Sequence, residues 1–586
     1  MKRLVRGLFL GLGVLTALVL LAAGGAAVYR VVVKEGVPER VILEVDLERT
    51  YRERTPRRGL AAWVPGQAPD LRVVVEALQR ASRDDRVRGL VAKVGTTGMD
   101  MGKIQEIRDA VIGFRRSGKD AVAWAETFGA GGSGGKAYYL AAAFDRIALQ
   151  PTGELALTGL RTRTPFLRGL LEEAGVRPRL AKREEYKTAA NVLTQKGYTT
   201  PHRKAEEALL RSMMGRMRKG IAEGRKLSRK EAEGRIARGP FLAREALEEG
   251  LVDRLAYRDE VYAAAGDRAG GGASLLYLGE YLRRAGGPYT GKTRIGLIYG
   301  VGRIVRGKSR RSPLGGIIMG SDTVGAAFRA ATRDDSVRAI VFRIDSPGGS
   351  YVGSDVIRRE VARARRAGKP VIVSMSGVAA SGGYYAALPA DRIIAHPGTL
   401  TGSIGVLGGK MITSGLWGKL GVRWEGVSTH ENADFWSPTT DYSPEQWKQL
   451  QQRLDAIYED FVSKVGEARG MDTAAVRKAA MGRVWTGEDA LELGLVDELG
   501  GFPQAVRAAK EAAGIAEEEA VALALFPPRR TLLQWLLGGR PESSEERYAA
   551  GADLREVLEA EARFLREAGL EMPDQALWMG PVPAVE

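Results

Sequence analysis

The chain repeats itself, and this limits its architecture more than any other feature of the sequence. Residues 82–88 (SRDDRVR) match residues 332–338 (TRDDSVR) at five of seven positions, an offset of 250. Gly118-Lys119 pairs with Gly368-Lys369 at the same offset. The offset then drifts to 246, where Asp145-Arg146-Ile147 meets Asp391-Arg392-Ile393 and Gly175-Val176-Arg177 meets Gly421-Val422-Arg423. Farther on, Gly250-Leu251-Val252-Asp253 returns as Gly494-Leu495-Val496-Asp497. Ordered matches at a slowly drifting offset mean a duplicated domain. A chain of 586 residues is in any case too long for a single core. Two repeats are expected, at 40–265 and 293–515, joined by a Gly-rich linker at 266–292 and followed by a C-terminal extension at 516–586.

Within each half, short apolar runs (residues 89–94 and 339–344) alternate with amphipathic helical patterns (104–116 and 356–366). That alternation predicts an α/β fold with parallel strands and crossover helices. A helical block follows each core, at 204–224 and 444–469, and a charged helical pattern occupies 553–568. The run Leu532-Leu533-Gln534-Trp535-Leu536-Leu537 offers a membrane-surface or interdomain contact.

Residues 7–29 carry no charge and are rich in Leu, Val, Ala and Gly. As a helix this stretch is about 34 Å long, enough to cross a bilayer. Lys2, Arg3 and Arg6 precede it, which puts the stub 1–6 in the cytoplasm and everything after Arg30 on the far side. The small residues from Ala22 to Ala27 allow a competing reading as a cleaved signal peptide. The apolar run is long for that role, so an uncleaved anchor is expected.

Composition removes several chemistries. There is no cysteine, hence no thiol nucleophile and no thiolate metal site. The three histidines, His202, His396 and His430, stand in no metal-ligand spacing, and none has a recognisable triad setting. No metal or cofactor is expected. The net charge of +17 raises the question of nucleic acid, but the arginines are scattered among acids without an aromatic-rich binding motif. The densest basic cluster, 303–311 (RIVRGKSRR), reads as a loop, and attraction to anionic lipid accounts for it better. Residues 286–293 (GGPYTGKT) satisfy a phosphate-loop pattern letter for letter. However, a helical pattern precedes them and a strand-like run follows, the reverse of the order such a loop needs. No nucleotide site is expected there.

A candidate nucleophile lies in residues 369–406. The run Val371-Ile372-Val373 reads as a buried strand. The chain then turns through Ala379-Ala380-Ser381-Gly382-Gly383 into a short helical segment stopped by Pro389. Ser381 falls at a helix N-terminus, where free backbone N–H groups can face an anion. Read locally, the stretch favours a tight glycine turn, and the rest of the chain must decide. If Ser381 is a nucleophile, a base must take its proton, and with no suitable histidine lysine is the remaining common choice. An ordinary lysine is neutral in roughly one molecule per few thousand at pH 7, so the base must sit in an apolar, carboxylate-free pocket. Composition alone does not choose among the lysines.

Residues 341–350 (VFRIDSPGGS), 375–385 (MSGVAASGGYY) and 399–406 (TLTGSIGV) closely resemble signal peptide peptidase A of the long, duplicated bacterial type. The likeness covers roughly residues 1–515. It implies tandem Clp-protease/crotonase-like domains of ββα units behind one N-terminal transmembrane helix, and a Ser/Lys dyad. By resemblance the nucleophile is Ser381. The general base is Lys187, within Tyr186-Lys187-Thr188-Ala189, and Ser403 holds its amine. The oxyanion donors are the amide of Gly382 and one from Gly348-Gly349, with Gly349 preferred. The resemblance further implies a serine endopeptidase of the bacterial cytoplasmic membrane, with its domains outside the cytoplasm. It would cleave signal-peptide remnants and other short apolar peptides as a ring-shaped oligomer, a tetramer for this type.

The repeats supply a check. Lys187 plus 246 is Ala433, so the second half lacks the base; Gly349 minus 250 is Met99, so the first half lacks one of the paired glycines. Allowing a gap, Ser381 matches Ser133 in Gly131-Gly132-Ser133-Gly134-Gly135. Each half keeps only part of a site, which implies a split dyad: lysine from one repeat, serine and oxyanion hole from the other. Against Lys187 stands its setting beside Glu184 and Glu185, which would spoil a base unless both carboxylates face away. Asp345 is expected to be structural. The rival readings are a crotonase-like acyl-CoA enzyme, which has no need of a Ser/Lys pair, and an inactive membrane scaffold.

Overall fold

The computed structural model describes residues 36–53, 69–129, 131–312 and 316–527, with the backbone alone of Ala576–Trp578 and Ala584–Val585. In the first repeat the strands Val41–Asp46, Val87–Lys93, Asp120–Ala125 and Arg146–Leu149 lie parallel and side by side. Helices Leu71–Ala81, Met101–Arg115 and Gly135–Ala141 make the crossovers. The second repeat runs Thr293–Val301, Val337–Ser346 and Val371–Ala380 in the same parallel manner, with Arg392–Ala395 and Leu400–Gly402 both against Val371–Ala380. All ten residues of Val371–Ala380 are buried, as in a parallel sheet covered on both faces. Each Val or Ile so enclosed stabilises the fold by about 1.5–3 kcal/mol relative to exposure.

Two expected boundaries move. Strand Ser274–Tyr277, inside the expected linker, pairs with Val41–Asp46, and helix Leu278–Ala285 packs on Leu71–Ala81. In the second repeat Val521–Phe526, expected in the C-terminal extension, pairs with Thr293–Val301 in the equivalent place. Each repeat therefore closes its sheet with one more edge strand than its apolar pattern suggested. The basic run from 303, expected as a loop, forms the short strands Arg303–Val305 and Arg310–Arg311. The expected helical blocks are helices Thr200–Arg225 and Pro444–Arg469, the latter opened by a Ser443/Gln446 capping box. The phosphate-loop look-alike sits between helix Leu278–Ala285 and strand Thr293–Val301, the order that disqualifies it. The expected span 7–29 and the patterns at 532–537 and 553–568 lie outside the described residues. Among the described residues, no helix is long and apolar enough to cross a membrane.

The repeats are joined by charge as well as by apolar packing. Helix Met101–Arg115 buries Lys103, Gln105 and Glu106, because that part of its polar face is covered by the second repeat. Arg343, fully buried, takes both oxygens of Glu53 at 2.8 and 2.9 Å, Ser374 Oγ at 2.8 Å, and the Glu106 carboxylate. Burial alone would raise the Glu106 pKa; the Arg343 guanidinium outweighs it and holds that carboxyl at about 2. The other Glu106 oxygen accepts from the Phe502 amide at 2.7 Å. A further sheet is built from both halves: Arg177–Lys182 of the first lies antiparallel on Leu407–Ile412 of the second. That crossing strand leads directly to Lys187.

Candidate active site

Ser381 stands between strand Val371–Ala380 and helix Gly382–Ala387. Its backbone has φ 54° and ψ −117°, a strained conformation for a residue with a Cβ, of order 1–3 kcal/mol. Two bonds hold it there: its amide donates to Gly402 O at 2.7 Å, and its carbonyl accepts from the Tyr385 amide at 2.8 Å. The turn aims the hydroxyl away from the helix it begins, while the Gly382 amide, in the first turn, has no intrahelical acceptor. Gly382 admits no side chain, since a Cβ would collide with Ser354 Oγ and lie 3.2 Å from the Gly349 nitrogen. That closeness sets the Gly382 Cα beside the Gly349 nitrogen. The Gly348 amide is taken by Ser346 Oγ at 3.2 Å. Gly349 itself has φ 155°, and a Cβ there would strike the Ile304 carbonyl.

Lys187 arrives from the other repeat. After Arg177–Lys182, Arg183 N donates to Val406 O and Tyr186 N to Met481 O, so the segment is pinned on second-repeat backbone. Lys187 is 1% exposed. Its Nζ lies 2.8 Å from Ser381 Oγ, 2.8 Å from the Ser403 carbonyl and 3.0 Å from Ser403 Oγ. Burial holds its pKa well below the ordinary lysine value, with no carboxylate close enough to oppose it. Glu184 turns to Tyr458 and Glu185 to Lys182. A neutral amine has two N–H bonds and one lone pair. The two Ser403 oxygens suit the N–H bonds, which leaves the lone pair for the Ser381 hydroxyl. Ser403 Oγ can accept because its own proton points to Gly482 O at 3.5 Å. Such an arrangement can withdraw a proton from Ser381 at neutral pH.

Three supporting groups escaped the sequence reading. Gly482, with φ 73°, packs so closely that a Cβ would lie 2.5 Å from the Lys187 nitrogen. The Arg483 guanidinium stacks on Trp485 at 4.2 Å and on Tyr186 at 5.4 Å, beside the lysine's segment. Lys103 of the first repeat bonds Asp345 at 2.7 Å and Asp100 at 2.9 Å. Burial works against that cation, but the two carboxylates outweigh it and raise the Lys103 pKa. Asp345 in turn accepts from the Val378 amide at 3.2 Å, tying the start of the glycine loop to the strand that carries Ser381. The repeat does not single out Gly482, which falls opposite Arg238 at the offset that pairs Gly250 with Gly494. Ser133, the serine of the first repeat, donates to Gly159 O at 3.4 Å, and among the described residues no lysine bonds to it.

A profile of peptidase family S49 matches residues 113–270 and 363–516, once in each repeat. The chain belongs to peptidase family S49. Protease 4 of Salmonella typhi is 34% identical over 455 residues, covering 75% of this chain and 71% of that protein. Protease 4 of Haemophilus influenzae is 31% identical, covering 76% and 74%. A chloroplastic protein of Arabidopsis thaliana, serine protease SPPA, is 30% identical, covering 79% and 69%. The matches take in parts of both repeats and cover about 70% of each relative's length. They agree with the resemblance to signal peptide peptidase A drawn from its motifs, and they make this chain a protease of the S49 family.

Proposed function

We propose that this S49 protease is a serine endopeptidase working through a dyad of Ser381 and Lys187. The observation that carries the proposal is the 2.8 Å approach of a buried, carboxylate-free amine to the hydroxyl of a serine at a helix N-terminus. Neutral Lys187 takes the proton as Ser381 Oγ attacks a peptide carbonyl. The amides of Gly382 and Gly349 receive the developing oxyanion, each worth about 3–4 kcal/mol in such sites. Lys187 then protonates the leaving amine, and water hydrolyses the acyl-enzyme. Ser403 keeps the amine aimed.

The substrate reading is short, apolar, extended peptides, signal-peptide remnants among them. Main-chain pairing at the glycine loop supports it: Gly348–Ser350 lies antiparallel to Ala576–Trp578 of the chain's own C-terminal segment. An edge that takes one extended segment by backbone hydrogen bonds suits peptide binding by strand addition. The uncharged run 7–29 supports a bilayer anchor with the repeats outside the cytoplasm, and the resemblance supports a ring oligomer, a tetramer for the long type. Cleavage of a synthetic signal peptide by the wild-type chain, Ser381→Ala and Lys187→Ala tests the dyad. Both variants should lose activity by at least about 10²–10⁴-fold. Wild-type rates in both would refute the dyad, and loss in Ser133→Ala alone would move the site to the first repeat.

A further inference from the structure

Helix Pro444–Arg469 reaches each of the three segments that build the site. Its Gln451 receives the Arg183 guanidinium at 2.8 Å on Oε1 and at 2.6 Å on the backbone carbonyl, and its Asp455 bonds the same guanidinium. Arg183 belongs to the segment that carries Lys187. Farther along, one oxygen of Asp460 accepts from Tyr351 Oη at 2.6 Å and from Tyr385 Oη at 2.8 Å. Lys464, one turn on, bonds the other oxygen. Burial works to raise the Asp460 pKa, but the bonds from Lys464, Tyr351 and Tyr385 outweigh it and hold the carboxyl below its ordinary value. A carboxylate that stays charged is the stronger kind of acceptor for both phenols.

The two tyrosines stand beside the two proposed oxyanion donors. Tyr351 follows Gly348–Ser350 directly and opens helix Tyr351–Arg366. Tyr385 lies in helix Gly382–Ala387, and its amide donates to the Ser381 carbonyl at 2.8 Å. Loop and helix meet where a Cβ on Gly382 would lie 3.2 Å from the Gly349 nitrogen. The tyrosine rings meet edge to face at 5.6 Å. Asp355 offers Tyr385 Oη a second acceptor at 3.2 Å, but Arg358 already donates to that oxygen at 2.9 Å. The phenol has one proton, and the nearer Asp460 takes it.

The first repeat serves as a control. Helices Thr200–Arg225 and Pro444–Arg469 correspond end to end at an offset of 244. Asp460 then falls opposite Arg216, which pairs with Glu488 instead. Tyr351 falls opposite Met101 at the 250 offset, and Tyr385 opposite Tyr139 at 246. One tyrosine survives there without the other and without the carboxylate. The neighbouring tyrosine shows how a bond that serves the fold alone behaves. Tyr384 donates to Leu495 O at 2.8 Å and its counterpart Tyr138 to Leu251 O at 2.6 Å, the same bond in both repeats. The repeat that lacks the dyad is the one that lacks the Asp460 bridge.

We infer that Asp460 is a positioning residue for the oxyanion hole, holding the Gly349 loop and the Gly382 helix at one spacing through Tyr351 and Tyr385. The inference rests on the Ser381/Lys187 reading of the site. Both amides are needed together only when the carbonyl oxygen becomes an oxyanion, so an error in spacing falls on kcat and spares KM. With full-length protein in detergent and a synthetic signal peptide, Asp460→Ala should lower kcat about 10- to 100-fold with KM little changed. Inhibition by a peptide aldehyde, which adds to the serine and fills the hole, should weaken in parallel. Tyr351→Phe and Tyr385→Phe should each lower kcat about 10-fold, and adding either to Asp460→Ala should lower it no further. Tyr139→Phe should keep the wild-type kcat. A wild-type kcat in Asp460→Ala, a loss confined to KM, independent losses that multiply, or an equal loss in Tyr139→Phe would each overturn the inference. The dyad would survive any of these, because Ser381→Ala reports on it separately; a wild-type rate in Ser381→Ala would remove dyad and inference together. Should Asp460→Ala fail to fold, the two Tyr→Phe variants, which keep their rings, decide the matter through kcat.

Discussion

Replacing Lys187 by methionine separates the cost of the buried amine from its use. Holding an ordinary lysine, pKa about 10.4, neutral at pH 7 costs about 4.6 kcal/mol. Methionine fills nearly the same volume without that cost. It leaves two Ser403 oxygens without a donor, at about 1–3 kcal/mol each. The two effects nearly cancel, so Lys187→Met should lie within about 2 kcal/mol of wild type at pH 7 while peptide cleavage is lost. The pH dependence decides the matter. The folded pKa lies well below the unfolded one, so between them the unfolded chain binds one more proton than the folded chain. Wild-type stability then rises with pH in that window by about 1.4 kcal/mol per pH unit, and the rise ends near pH 10.4. Methionine has no such slope. Urea unfolding followed by tryptophan fluorescence should show wild type gaining about 2.7 kcal/mol on the variant from pH 7.5 to 9.5. A difference that stays flat across that range would mean Lys187 is charged in the folded protein, and the dyad argument would fall with it.

Ser403→Ala removes the 3.0 Å contact to Nζ and keeps the carbonyl contact, so kcat should fall about 10-fold with KM little changed. Because an ammonium gains more from an acceptor than a neutral amine does, its acid limb in a pH–rate profile should move to lower pH; a shift upward would contradict this role. In the wild type the rate should rise with pH through the depressed Lys187 pKa and level off below the ordinary lysine range, which initial rates from pH 5 to 10 would read. Gly349→Ala meets both the Ile304 carbonyl and a φ of 155°, and should lose about 10²–10³-fold in kcat through the displaced amide. A Gly349→Ala protein that unfolds normally yet cleaves at the wild-type rate would remove Gly349 from the oxyanion site. Lys103→Met leaves Asp345 buried without its cation and should destabilise by about 3–5 kcal/mol in urea melts; adding Asp345→Asn should recover most of the loss.

The tandem architecture was legible because a repeat is a long signal that averages over local ambiguity. The position of Ser381 was legible because strand, small-residue turn and helix follow one another without interruption from Val371 to Ala387. Its conformation was not, since a serine at φ 54° is held by Gly402 and Tyr385, contacts that no local pattern announces. Lys187 is the opposite case. Its neighbours Glu184 and Glu185 make the segment read as surface, and only the family likeness singled it out. The pocket that neutralises it is assembled from Ser403, Gly405 and Gly482, more than two hundred residues away. The linker was misplaced for a similar reason. Gly270, Gly271 and Gly272 look like a flexible joint but serve as the left-handed turn between helix Arg258–Arg268 and strand Ser274–Tyr277.

On the proposed mechanism, a dyad shared between two repeats makes the seam part of the catalyst. Apolar contacts across such a seam are non-directional, and neighbouring packings can differ by an ångström at little cost. A misplacement of that size can cost about 100-fold in rate when it falls between a base and its nucleophile. Directional groups remove the freedom. Arg343 of the second repeat must meet Glu53 and Glu106 of the first at once, while Glu106 also accepts the Phe502 amide and Lys103 reaches Asp345. Buried ion pairs of this kind add little net stability, because desolvation offsets most of their attraction. What they penalise is any other placement, which would leave a buried charge unpaired at several kcal/mol. The same helix that carries Glu106 and Lys103 packs on strand Val371–Ala380, whose last residue precedes Ser381. The charges that fix the repeats against each other therefore act within one strand length of Ser381, where the proposed mechanism needs a 2.8 Å contact to be kept.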